Sequence, residues 1–275
     1  MSTVKPNTLV EYSVKDGVAW LEMNDPPANA YSYQMMRDLD EGILKARFDD
    51  DVHVIVLTGA GTKFFSAGAN INMLGSVTPR FKYYFCLHAN ETLCRLESTP
   101  KLVIAAINGH AVGGGLEVAL AADLRVAWKS TGEGARPPTI GLPEVHLGVL
   151  PGTGGTQRAA RLLGKAKAIE MMVTGKNFGL DEARSFGLLT DVVEKPSLEE
   201  FRAEVQRYAK EFTPPARAPR AVGAIKLAVQ SGAEMALESG LALERELQQQ
   251  LFLSEDAKEG ISAHLAKRKP SFSGK

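Results

Sequence analysis

The chain is poor in cysteine, carries no net charge and has no long apolar run, and each shortage removes a class of protein. Two cysteines in 275 residues, Cys86 and Cys94, are too few for a disulfide framework. They also lack the CxxC or Cys/His spacing of a metal site, so both read as free thiols in a reducing compartment. Lys plus Arg and Asp plus Glu stand at 32 each, so no global field gathers nucleic acid or an anionic membrane. No apolar run nears the roughly 20 residues of a membrane span. The opening Met1 to Asn7 lacks the apolar core of a signal peptide and the Arg-rich character of a transit peptide, and the final Ser-Gly-Lys is not a peroxisomal address. A cytoplasmic protein is the expectation. No Walker A sequence occurs, and the glycines at 152–155 do not match G-x-G-x-x-G, which removes the common nucleotide cradles.

What remains is ordinary globular material, 44% hydrophobic and 23% charged, enough for one large domain or one domain with a small appendage. Its centre is the run Leu102 to Ala122. Leu102 to Ile107 is a continuous apolar stretch of the kind found in strands covered on both faces. Gly113, Gly114 and Gly115 then strip the backbone of side chains where an apolar helix begins. The N–H groups at such a helix start have no partner within the helix and lie at the positive end of its dipole, so they suit an oxygen that gains negative charge. The only ionisable residue from Ala111 to Ala122 is Glu117. A buried carboxylate without partners costs several kcal/mol, so it must be paired with an arginine, exposed, or placed on a cavity wall where a raised pKa is useful.

Along the chain, Leu9–Val14 and Val18–Met23 read as strands joined at Asp16-Gly17, a hairpin signal. Ser32 can cap a helix whose apolar face is Met36, Leu39 and Ile43, with Asp38, Asp40 and Glu41 toward water. Val52–Thr58 is a further strand, and the order strand, helix, strand implies a parallel crossover in an α/β sheet. The small residues of 65–70 again expose backbone after a strand, where open α/β sheets place ligands. Phe81–Glu97 reads as a helix whose aromatics mostly form a core stripe, Asp123–Trp128 as a strand, and Lys129–Pro138 as a surface loop. Glu144 is a second isolated carboxylate in apolar company, ahead of a helix near Thr156. From Lys165 the pattern is helical to the end, with a soft boundary near Thr190–Pro214 and an apolar face at Leu243, Leu247 and Leu251.

Six phrases together carry a resemblance. They are Pro-Pro-Ala-Asn-Ala (26–30), Phe-Ser-Ala-Gly-Ala-Asn-Ile (65–71), Ala-Ala-Ile-Asn-Gly-His-Ala-Val-Gly-Gly-Gly-Leu-Glu (105–117), Gly-Leu-Pro-Glu (141–144), Pro-Gly-Thr-Gly-Gly-Thr-Gln-Arg (151–158) and Glu-Gly-Ile…Lys-Arg-Lys-Pro-Ser-Phe (259–272). In this order they resemble the enoyl-CoA hydratase/isomerase (crotonase) superfamily over nearly the whole chain. The resemblance implies an α/β fold, a spiral of repeated β-β-α units over residues 1–200, and a C-terminal helical region over 201–275 that serves oligomerisation and pocket closure.

For the site, the resemblance implies that the N–H groups of Ala69 and Gly114 form an oxyanion hole and that Glu117 and Glu144 are the catalytic carboxylates. Gly152 matches the glycine whose N–H helps hold the catalytic water. Ala28, Ala30, Ala67, Asn70, Ile71 and Asn72 match the segments lining CoA, and Lys267 matches a phosphate-contacting lysine. The substrate is then an acyl-CoA thioester, with CoA part of the substrate and no metal or other cofactor, and the assembly a homotrimer or a dimer of trimers. Departures are Asn70 where many members have Asp, Asn72 where Lys is frequent, His264 where Phe is common, and a longer spacing between the two glutamates, attributed to Lys129–Pro138. Both glutamates favour hydration of a 2-enoyl-CoA. A Δ3,Δ2-enoyl-CoA isomerase and a hydratase of branched or carboxylated chains are alternatives within the family. A noncatalytic acyl-CoA-binding or RNA-binding role is weaker, since the neutral charge offers RNA no footprint.

Overall fold

The computed structural model describes residues 8–134 and 136–275. The Met1–Asn7 stretch read above for targeting, and Ala135 of the expected loop, lie outside the described residues. The hairpin is β1 (Val10–Lys15) and β2 (Val18–Met23), paired antiparallel, with Asp16 and Gly17 both at positive φ between them. That backbone is what an Asp-Gly turn supplies. Next comes α1 (Tyr33–Phe48), capped by the Ser32 side chain, which accepts the N–H of Met35.

A strand–strand–helix unit then repeats. The first is β3 (Val54–Gly59), β4 (Phe64–Ser66), α2 (Ile71–Ser76) and α3 (Pro79–Glu97). The second is β5 (Leu102–Ile107), β6 (His110–Val112) and α4 (Gly114–Leu120). The third is β7 (Leu124–Ser130), β8 (Thr139–Gly141), a single 3₁₀ turn at Glu144–Leu147, and α5 (Gly155–Leu163). In each unit the first strand joins a six-stranded sheet, ordered β1-β2-β3-β5-β7-β10, and the second joins a four-stranded sheet, ordered β4-β6-β8-β9. The chain therefore winds as a spiral between two sheets, with β3, β5 and β7 parallel in one and β4, β6 and β8 parallel in the other.

After α6 (Lys165–Thr174), the sheets gain β9 (Asn177–Gly179) and, beyond α7 (Leu180–Ser185), β10 (Asp191–Lys195). These two strands interrupt the mostly helical pattern expected from Lys165. Phe178 is the one buried residue of β9, and three residues are too few to set a period. The chain closes with α8 (Leu198–Lys210), α9 (Pro219–Gly232), α10 (Leu237–Phe252) and α11 (Glu255–Leu265).

Every residue of β5 is buried, and the strand's period of two divides it between two cores. Val103, Ala105 and Ile107 face one core with Met36, Leu39, Ile43, Phe85 and Leu116 of the helices. Leu102, Ile104 and Ala106 face the other, closed by Phe201, Val205 and Ala209 of α8. Burial of each such branched side chain is worth about 1.5–3 kcal/mol.

Two side-chain expectations fail. Asp38 is buried, because its carboxylate accepts the N–H of Leu9 at 2.9 Å and the amide of Gln34 at 2.8 Å. Asp40 pairs with Arg95 at 2.6 Å, so only Glu41 of that trio is exposed. On α3, Phe85 is buried as a core aromatic should be, whereas Phe81, Tyr83 and Tyr84 are exposed. Cys86 and Cys94 of the same helix are free thiols, as expected.

Candidate active site

The second unit of the spiral builds the centre of the site. At its strand end, Asn108 is fully buried and accepts the N–H of Gly59 at 3.0 Å while donating to the carbonyl of Gly61 at 2.7 Å. The ends of β3 and β5 are thereby held level. Gly113 then takes φ 56°, and α4 starts with two glycines in close quarters. A β-carbon on Gly115 would lie 2.1 Å from the carbonyl oxygen of Ser66, and one on Gly114 would lie 2.1 Å from the Tyr31 hydroxyl. Only glycine fits at either position.

The first unit brings up the facing backbone. Asn29, buried at positive φ, donates to the carbonyls of Ala60 and Phe64, each at 2.9 Å. The Ser66 hydroxyl donates to the Asn29 carbonyl at 2.8 Å, and Ala67 N–H donates to the Ala28 carbonyl at 2.9 Å. Tyr31 N–H donates to Gly68 and Asn70 N–H donates to Tyr31, at 2.9 and 3.0 Å, so the pairing brackets Ala69 and leaves its own N–H out of the ladder. Gly68, at φ 88°, lies so close that a β-carbon there would come within 2.8 Å of the Gly114 nitrogen. Backbone near Ala69 thus meets the start of α4, where Gly114 N–H has no acceptor within the helix.

Glu117 sits one turn into α4 and is 2% exposed. One of its oxygens, Oε1, accepts N–H bonds from Thr153 and Gly155, each at 2.7 Å. Burial raises its pKa, opposed by those two backbone donors, which favour the ionised form, and by the nearby cations Lys82 and Arg158. An arginine pair in the core, one reading of this glutamate, is replaced by this backbone clamp.

Glu144 opens the 3₁₀ turn and reaches over the start of α4, where a β-carbon on Gly113 would stand 3.1 Å from its Oε1. Its Oε2 is buried without a hydrogen-bond partner. Burial, and then the charge of Glu117, push its pKa up to about 7. The charge of Glu117 disfavours that of Glu144, while the two backbone donors on Glu117 favour its ionised form.

The loop that clamps Glu117 is itself held. Arg158 ion-pairs with Glu97 at 2.5 Å and donates to the Thr153 carbonyl at 3.1 Å. Gly152 stands in the same loop, where a β-carbon would lie 3.3 Å from Cys86 Sγ.

Of the residues expected at the site, the structure brings together Glu117, Glu144, Gly114, Ala69 and Gly152, with Ala28, Ala30 and Ala67 in the bonded turns beside them. Asn70 caps α2 through its side chain, which accepts Met73 N–H, and Ile71 and Asn72 are exposed at that helix's start. Lys267, at φ 54° and exposed, lies in the turn after α11, which packs on α10. Sequence reasoning missed Asn29, Asn108, Tyr31 and Thr153. Asn29, Asn108 and Thr153 stand inside the quoted phrases, which was the available signal, whereas Tyr31 stands outside them.

A groove of about 1460 Å³ lies elsewhere. It runs between the end of α3, α5 and α9, and neither catalytic candidate lines it.

The enoyl-CoA hydratase/isomerase family model matches residues 13–275. The short-chain-enoyl-CoA hydratase of Clostridium acetobutylicum is 38% identical over 266 residues, which is 96% of either chain. The 2,3-dehydroadipyl-CoA hydratase of Escherichia coli is 37% identical over 263 residues, covering 94% of this chain and 96% of that one. Among solved structures, an enoyl-CoA hydratase from Geobacillus kaustophilus superposes with a TM-score of 0.91 at 43% identity, covering 98% of each chain.

Proposed function

The chain belongs to the enoyl-CoA hydratase/isomerase family, and from that premise we propose that it hydrates 2-enoyl-CoA thioesters to 3-hydroxyacyl-CoA. The observation that carries the reading is the pair of carboxylates, one clamped by two backbone N–H groups, the other with its pKa pushed up to about 7, beside a glycine-rich helix start.

In this mechanism Glu117 accepts a proton from water as the oxygen bonds to C3, and Glu144 delivers a proton to C2. The negative charge that passes to the thioester oxygen is met by Ala69 N–H and Gly114 N–H, each worth about 2.7–4 kcal/mol in comparable oxyanion holes. Gly152 N–H holds the attacking water. After one turnover Glu117 is protonated and Glu144 ionised, and exchange with water resets them. A raised pKa on the donor matches it to neutral pH, where general acids work best. Ala28, Ala30, Ala67, Asn70, Ile71 and Asn72 line the CoA, and Lys267 meets its phosphates. The working form is a cytoplasmic homotrimer or dimer of trimers, supported by the exposed Ile225 and Val229 of α9 and Leu237 of α10. Among the described residues no helix is long and apolar enough to cross a membrane.

The test is a panel of crotonyl-, hexenoyl-, decenoyl-, 3-methylcrotonyl- and 3-methylglutaconyl-CoA, followed by loss of the conjugated thioester absorbance. Hydration of at least one is expected. Absence of hydration, together with a rise in that absorbance from a 3-enoyl-CoA, would make the protein an isomerase.

A further inference from the structure

Tyr31 touches the site in three independent ways. Its peptide groups bracket Ala69, accepting from Asn70 and donating to Gly68. Its ring edge lies on Gly114, where a β-carbon would come within 2.6 Å of two ring carbons. Its hydroxyl meets the Thr153 hydroxyl at 2.9 Å, with both residues 2% exposed. Thr153 in turn gives its N–H to Glu117. The phenol stays neutral across the working range, because burial and the Glu117 charge hold its pKa well above the ordinary value.

We propose that Tyr31 is the positioning residue of this site, locking the two oxyanion donors and the loop that holds Glu117 into one rigid body. The inference rests on the hydratase reading above. Without the hydroxyl contact, the Thr153 loop is held only by its N–H bonds to Glu117 and by Arg158 at the Thr153 carbonyl. The loop then relaxes, the N–H bond to Glu117 lengthens, and the base is misplaced relative to the oxyanion donors. Misplacement of this kind costs rate rather than affinity.

Tyr31→Phe and Thr153→Val each remove one hydroxyl and keep the shape. Each is expected to lower kcat by about tenfold or more, with KM for the thioester held within about twofold. The double variant should be no slower than either single one, and Thr153→Ser should retain the rate. A weaker donor bond raises the Glu117 pKa further, so the acid limb of the pH profile should move to higher pH. The charged and titratable groups facing this pair are Lys82 and Cys86 from α3, Arg158 from α5, Glu144 and Tyr31 itself, and none of the substitutions alters their charge.

Hydrogen exchange supplies a readout independent of turnover. In Tyr31→Phe the amides of 113–117 and 153–155 should exchange faster together while the rest of the chain is unchanged. Unchanged exchange in these segments, a general loss of protection, or single variants with wild-type kcat and pH profile would each overturn the proposal. A wild-type protein that hydrates no thioester would refute the hydratase reading alone, and the exchange comparison would still decide the linkage.

Discussion

Glu144 should be a residue that the fold would be better without. Its carboxyl titrates near 7 rather than the ordinary 4.5, because it is buried and faces Glu117. Between those values the folded chain binds a proton that the unfolded chain has released, so stability falls as pH rises through the window. The gap corresponds to about 3 kcal/mol, at roughly 1.4 kcal/mol per tenfold. Glu144 is only half-buried, and solvent screening reduces this to about 2 kcal/mol. Glu144→Gln removes the charge and its cost. The variant should match the wild type in urea unfolding at pH 4.5 and exceed it by about 2 kcal/mol at pH 8, at a fixed protein concentration because association shifts apparent stability. Its hydration of crotonyl-CoA should fall by about 10²-fold or more, the scale of a lost general acid. A stability gain equal at both pH values, or no gain at pH 8, would refute the buried, charge-opposed carboxyl. Near wild-type hydration would refute its role.

Glu117→Gln can still accept both clamp bonds through its carbonyl oxygen, so the fold and acyl-CoA binding should survive while turnover drops about 10²-fold. The double glutamine variant should lose much less than the product of the single losses, measured as kcat on crotonyl-CoA, because both groups serve one event. Gly114→Ala drives a β-carbon to 2.1 Å from the Tyr31 hydroxyl. The ring or the donor must move, and kcat should fall by about 10²–10³-fold, as when an oxyanion donor is lost. Lys267→Ala should raise KM in a salt-dependent way with kcat nearly intact, and an unchanged KM at low salt would argue against a phosphate contact.

Where local pattern decides structure, the sequence was readable. Asp16-Gly17 set the hairpin, the unbroken apolar run 102–107 set a strand buried on both faces, and the lone glutamate of an apolar helix pointed to a buried, backbone-clamped carboxylate. Where a distant partner decides, it was not. Asp38 looks wet beside Asp40 and Glu41, yet the N–H that satisfies it belongs to Leu9. Tyr31 and Thr153 carry no charge and no periodic signal, and only the spiral brings a tyrosine before α1 onto a threonine before α5. The short β9 pairs with β8 through residues whose pattern alone is indistinguishable from a turn.

The groups that hold Glu117, and those offered at the start of α4 and at Ala69, are main-chain amides rather than side chains. A point mutation can displace an amide but cannot delete it, unless proline is introduced. The donors are therefore insulated from most sequence drift, and their tolerance is set by room for a β-carbon at a few glycines. The exposed aromatics of α3 and the apolar residues after Glu144, such as Leu147 and Val149, carry no such steric restriction. Variation at those exposed positions can proceed while the glycines stay fixed, without rebuilding the backbone around Glu117 each time.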